Sequence, residues 1–106
     1  MPGIPNHGEV WTIDFGMIAK VRPALILGCD IADEDRMLVT ALYHTTSVRG
    51  SRWEIPMNVR GLDEGAFDVQ SIYSVPVSKL IRRRAVVSDT QLHEIESRVK
   101  EWLELP

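Results

Sequence analysis

Ser88-Asp89-Thr90-Gln91-Leu92-His93-Glu94-Ile95-Glu96-Ser97-Arg98-Val99-Lys100-Glu101-Trp102-Leu103, residues 88–103, carries the one clear helical period of the chain. Ser88 and Gln91 stand at the spacing of a capping box, in which each side chain satisfies the other residue's free amide. Leu92, Ile95, Val99, Trp102 and Leu103 then recur as one apolar stripe, with Glu94, Glu96, Arg98, Lys100 and Glu101 outside it. Trp102 reads as a core residue on that stripe. The last 19 residues are therefore expected to form a helix laid on something apolar.

What precedes the helix reads as short strands and loops. In Val10–Phe15, Trp11, Ile13 and Phe15 alternate with Thr12 and Asp14, the pattern of a strand with two unlike faces. Ala24–Gly28 and Met37–Tyr43 are continuous apolar runs that suit strands buried on both faces. Trp53–Met57 and Phe67–Val75 are further strand segments, and Pro56 and Pro76 are expected at strand ends or edges because they donate no ladder bond. The residues thus predict a mainly β (α+β) fold, a barrel or coiled sheet of about five to seven strands closed by a C-terminal amphipathic helix.

A length of 106 residues fits one domain, residues 1–106. Hydrophobic residues at 44% and charged residues at 25% exclude disordered, collagen-like and coiled-coil chains. The single cysteine, Cys29, makes neither an intramolecular disulfide nor a cysteine-based zinc site, which fits a reducing cytosol. Met1–His7 holds Pro2 and Pro5 and no basic segment leading into an apolar one, so no secretory leader is expected. The longest apolar run, Ala24–Leu27, is far short of the roughly 20 residues of a membrane helix. The expected location is cytoplasmic, with no membrane partner.

The net charge of −3 is unevenly distributed. Residues 1–35 carry −4, residues 36–87 carry +4 and residues 88–106 carry −3. A basic middle between acidic ends either is a solvated face or holds a polyanion on an acidic protein.

Several residues have chemistry to offer. Pro23 holds Arg22 in extended geometry at the mouth of a strand, where a bidentate cation suits a phosphate or an ordinary salt bridge. His44-Thr45-Thr46-Ser47 places four hydrogen-bonding side chains after an apolar run, followed by Arg49, Arg52 and Trp53. Such a group can position a phosphodiester, neutralise backbone phosphates and stack on a base, or be a polar hairpin turn with a core tryptophan. Asp68, Gln70 and the Arg82-Arg83-Arg84 triplet, read as a solvated strand end or an acidic-partner seat, complete the set. There is no nucleotide loop and no zinc spacing, and His7, His44 and His93 are scattered, so no metal and no cofactor is expected.

These pieces in this order resemble the MazF/PemK (Kid) family of toxin endoribonucleases from type II toxin–antitoxin systems. The resemblance runs through Gly8–Phe15, Arg22-Pro23-Ala24-Leu25-Ile26-Leu27, Val39–Thr46, Gln70 and Val87-Ser88-Asp89 leading into the helix. It implies an SH3-like small β-barrel that forms a homodimer, cuts single-stranded RNA (mRNA) without a metal and is neutralised by a cognate antitoxin. Arg22 and Thr45 match the family's catalytic arginine and threonine. Lys20, Thr46, Ser47, Arg49, Arg52, Trp53 and Gln70 are the expected RNA-binding residues, with His44 and Asp68 as acid–base candidates.

Two departures from the family pattern stand out. Only residues 16–21 separate Phe15 from Arg22, where relatives have a longer loop, and Lys20 is its one charged residue. Val69 stands where relatives often have aspartate, with Asp68 one position earlier. Barrels of this kind also resemble CcdB, a gyrase inhibitor, and an exposed Trp102-Leu103-Glu104-Leu105 end would suit a non-catalytic inhibitor of that type. A degenerate interaction module is the third reading.

Overall fold

The computed structural model describes residues 5–28 and 30–106; the readings of Cys29 and of the first four residues lie outside the described residues. Among the described residues six strands precede one α-helix: β1 (Glu9–Asp14), β2 (Val21–Leu27), β3 (Leu38–Thr45), β4 (Glu54–Pro56), β5 (Ala66–Pro76), β6 (Leu80–Val86) and α1 (Asp89–Trp102), with a single 3-10 turn (Val77–Lys79) between β5 and β6. All pairings are antiparallel, in the order β4-β5-β3-β2-β1-β6. Pro56 closes β4 and Pro76 closes β5, as expected of residues without an amide proton.

The period of two sends side chains to two separate cores. Trp11, Ile13 and Phe15 join Ala24, Ile26 and Ala41 on one face. Val10, Leu25, Leu42 and Phe67 occupy the other, where Ile95 of α1 covers them. This explains why Ala24–Leu27 is a continuous apolar run: its neighbours point into different cores.

Among the described residues the sheet coils without a hydrogen-bonded closing seam. Its two ends are instead tied by Arg84 on β6, which donates from Nη1 to Thr12 Oγ1 (3.2 Å) and from Nη2 to the Gly61 carbonyl (3.1 Å). Gly61 has φ +100°, and a Cβ there would stand 2.7 Å from the Arg84 carbonyl, so the loop after β4 approaches β6 as only glycine permits. Val59 and Leu62 of that loop pack in the same core as Ala85 and Val87. The result is the expected small barrel-like sheet. β6 was foreseen only at the Arg82-Arg83-Arg84 triplet, read as a solvated strand end, because Arg82 and Arg83 are exposed and interrupt the strand's alternation.

The capping box forms: the Gln91 amide donates to Ser88 Oγ (3.1 Å) and the Ser88 amide to Gln91 Oε1 (3.0 Å). Ser88→Ala is expected to cost about 1 kcal/mol of stability in a denaturant melt. The helix is shorter than the 19-residue expectation. Glu104, at φ +54°, donates to the Glu101 carbonyl and Leu105 donates to that of Lys100, the paired bonds of a Schellman stop. Only Ile95 of the stripe is fully buried, with Leu92 and Val99 packed beside it. Trp102 is 39% exposed and Leu103 is 49% exposed, which corrects the expectation that Trp102 is core. Trp102 meets Trp53 edge-on, 5.3 Å between ring centroids.

Candidate active site

The site forms where two strands part. The β2–β3 ladder runs from Leu27/Thr40 to Ala24/Tyr43 and stops there. The next residue of β2 is Pro23, which has no amide proton to continue the ladder. Beyond it Arg22 projects from β2 toward the last residues of β3. Its Nε donates to the Ala19 carbonyl (2.8 Å), its guanidinium carbon lies 4.6 Å from the centre of the Tyr43 ring, and Nη1 reaches Thr45 Oγ1 (3.4 Å). The cation is thus fixed by a carbonyl and an aromatic face, and among the described residues no carboxylate is paired with it.

The sequence places His44 and Thr45 just past an apolar strand, as a phosphate-positioning group or a polar hairpin turn; they are the buried end of β3 itself, 3% and 7% exposed. Pairing with Phe67 and Ala66 carries the strand two residues further. The register shifts between Leu42/Ile72 and His44/Phe67, so Asp68–Ser71 of β5 bulge out opposite Tyr43. Bulges re-aim side chains, and this one lines the site. Asp68 accepts from the Gln70 amide (3.0 Å) and from Ser71 Oγ (2.8 Å).

Opposite the bulge, Glu54 accepts from the backbone amides of Arg49, Gly50 and Ser51 and folds that turn over the site. Those bonds, the Arg49 amide's first, hold its carboxyl below the usual carboxylate range. Glu54→Gln is expected to loosen the turn, seen as faster amide exchange at residues 49–51 with the core unchanged.

The resulting cleft, about 400 Å³, is lined by Arg22, Thr45, Ser47, Arg49, Asp68 and Gln70 among the anticipated residues. Tyr43, Ser51, Glu54 and Ser71 complete it and were not foreseen. Tyr43 read as a strand residue, and the bulge that brings in Ser71 leaves no mark in the hydrophobic pattern. Lys20, His44 and Thr46 line a neighbouring cleft that shares Arg22 and Ser47. Arg52 and Trp53 belong to neither: Arg52 stacks on Trp53 at 4.3 Å, beside Trp102 and the end of α1.

Burial pushes the His44 imidazole below its ordinary 6.5, and the nearby Asp63 charge only partly offsets this. The folded protein therefore binds the His44 proton less readily than the unfolded chain. Its contribution to stability is full above about pH 6.5 and is lost as the pH falls below that. Thermal melts should show a midpoint that falls as the pH is lowered below about 6.5, less so in His44→Gln.

The family described as "PemK-like, MazF-like toxin of type II toxin-antitoxin system" matches residues 6–103. The chain belongs to this family. Among curated proteins no sequence match was found. In solved structures the toxin's fold recurs at low identity. A Mycobacterium tuberculosis toxin, MazF-mt6, is 24% identical with a TM-score of 0.77, covering 92% of this chain and 98% of its own. An endoribonuclease in complex with its cognate antitoxin from Mycobacterial species is 22% identical at a TM-score of 0.81, covering 96% and 97%. MazF from Deinococcus radiodurans is 19% identical at 0.83, covering 98% and 100%. These likenesses show the fold. No helix among the described residues is long and apolar enough to cross a membrane.

Proposed function

We propose that the toxin is a metal-independent endoribonuclease that cuts single-stranded RNA, mRNA in the cell, at the Arg22–Thr45 cleft. The observation that carries this reading is an arginine with no carboxylate partner among the described residues, fixed 3.4 Å from a buried threonine hydroxyl in an open polar cleft. The RNA's own 2′-oxygen attacks the adjacent phosphorus, its proton passes to a base, and the 5′-oxygen leaves with a proton in its place. The products are a 2′,3′-cyclic phosphate and a 5′-hydroxyl. Charge builds on the non-bridging oxygens, where the preorganised Arg22 meets it.

Thr45 holds the phosphate in line. Asp68 lines the same cleft and His44 the neighbouring one with its Nε2 buried, so Asp68 is the acid–base group of this reading. Arg49 and Gln70 would bind flanking nucleotides. Exposed apolar side chains at Met17, Ile18, Ile81 and Val86 support a homodimer. An acidic antitoxin segment crossing the cleft at Arg22 and Arg49 would neutralise the cytoplasmic enzyme.

Purified toxin mixed with long single-stranded RNA in EDTA should give discrete fragments; RNA left intact would overturn the reading. Trp102, Leu103 and Leu105, between 39% and 55% exposed, favour a second reading, a toxin that arrests growth by binding gyrase. Growth arrest with cellular RNA uncut would select it.

A further inference from the structure

The neighbouring cleft, about 350 Å³, brings three cations together with one carboxylate: Lys20, Arg22 and Arg84 with Asp63. Among the described residues none of the three cations sits in an ion pair. Arg84 is clamped by Thr12 and Gly61, so its charge is fixed in place. Lys20 has φ +59°, a conformation that favours glycine, and two backbone bonds hold it there: Phe15 N to its carbonyl (2.7 Å) and its amide to the Gly16 carbonyl (2.8 Å). A lysine kept where glycine fits better points to use of its ammonium. His44 also lines this cleft, and its buried Nε2 has no hydrogen-bond partner among the described residues.

Arg22 and Ser47 line both clefts, so a strand lying in one continues into the other. We propose that the second cleft seats the phosphate next to the scissile one, with Lys20 as the contact that governs its affinity and Arg84 as a fixed counter-charge. The proposal rests on the RNA-cleavage reading above. It makes the toxin demand a charged phosphate on one particular side of the cut, which a single cleft at Arg22 does not.

The test uses an oligoribonucleotide containing the cut site, with the phosphate on either side of the scissile one replaced in turn by an uncharged methylphosphonate. It is cut by the wild type, Lys20→Gly and Lys20→Arg. Glycine accepts the positive φ, so Lys20→Gly should melt no lower than the wild type and its kinetics report the lost charge. Expected are a KM raised about tenfold by one of the two methylphosphonates and a similar rise from Lys20→Gly, with kcat nearly unchanged.

The two changes together should be no worse than either alone, because both remove the same contact. The slope of log affinity against log salt should fall by about 0.7 in Lys20→Gly and stay put in Lys20→Arg. Wild-type KM and salt slope in Lys20→Gly, or indifference to both methylphosphonates while unmodified RNA is cut, would overturn the subsite. Failure of the wild type to cut unmodified RNA would instead overturn the cleavage reading, and the subsite with it.

Discussion

Replacing Arg22 with alanine is expected to slow RNA cleavage by about 100–1,000-fold, a loss of roughly 3–4 kcal/mol of transition-state stabilisation. The size follows from how the guanidinium is held. Its Nε is committed to the Ala19 carbonyl and its plane lies over Tyr43, which leaves the Nη edge directed at Thr45 and the cleft. No reorganisation is needed when charge develops on the phosphate. Because no ion pair holds Arg22 among the described residues, its removal strands no buried carboxylate, and the fold should survive with a small loss of packing on Tyr43. Single-turnover kinetics should therefore show a fall in rate far larger than any rise in KM. Lysine should restore little, since a point charge lacks the fork that meets two phosphate oxygens.

Gly65→Ala is expected to damage both stability and activity. Gly65 immediately precedes β5, and a Cβ there would overlap the Thr45 carbonyl and come within 2.7 Å of His44 Cε1. Neither neighbour yields easily: both belong to the buried end of β3, and the His44 ring meets Phe67 edge-on at 5.1 Å. Overpacking of this kind costs about 1–3 kcal/mol. Relief by moving Thr45 would pull its hydroxyl away from Arg22. A denaturant melt should show the loss, with cleavage reduced at least about tenfold at temperatures where the variant is folded. Gly50→Ala is the control, because among the described residues nothing lies within 4 Å of a Cβ there, and its φ of +84° is what opposes the change.

The parts of the fold that could be read from the residues are those with a period. Trp11, Ile13 and Phe15 reached one core as their alternation implied, and Ala24–Leu27 divided between two. The capping box of Ser88 and Gln91 formed as spaced. Three features had no local signal. The bulge at Asp68–Ser71 arises from a mismatch between β3 and β5, so no single strand announces it. Burial of His44 and Thr45 depends on pairing with Phe67 and Ala66, more than twenty residues away, against the polar character of the run they begin. Trp102 completes a helical stripe in sequence, yet it joins neither core and instead meets Trp53 at the surface.

The same division holds at the site. Arg22 and Thr45 could be named because the family resemblance assigns them; Pro23 and the end of an apolar run mark where they stand and leave a salt bridge or a polar turn equally open. Arg52 and Trp53 were drawn into that group by proximity in sequence to Arg49, but the turn fastened by Glu54 leaves Arg49 at the cleft and sends them to the far end of α1.

The end groups of RNA cut in EDTA test the central claim most directly. Mass spectrometry of an oligoribonucleotide cut once should find a 2′,3′-cyclic phosphate on one fragment and a 5′-hydroxyl on the other, and a single 2′-deoxy substitution before the scissile phosphate should abolish the cut. A 5′-phosphate product, or cleavage of the 2′-deoxy substrate, would contradict it.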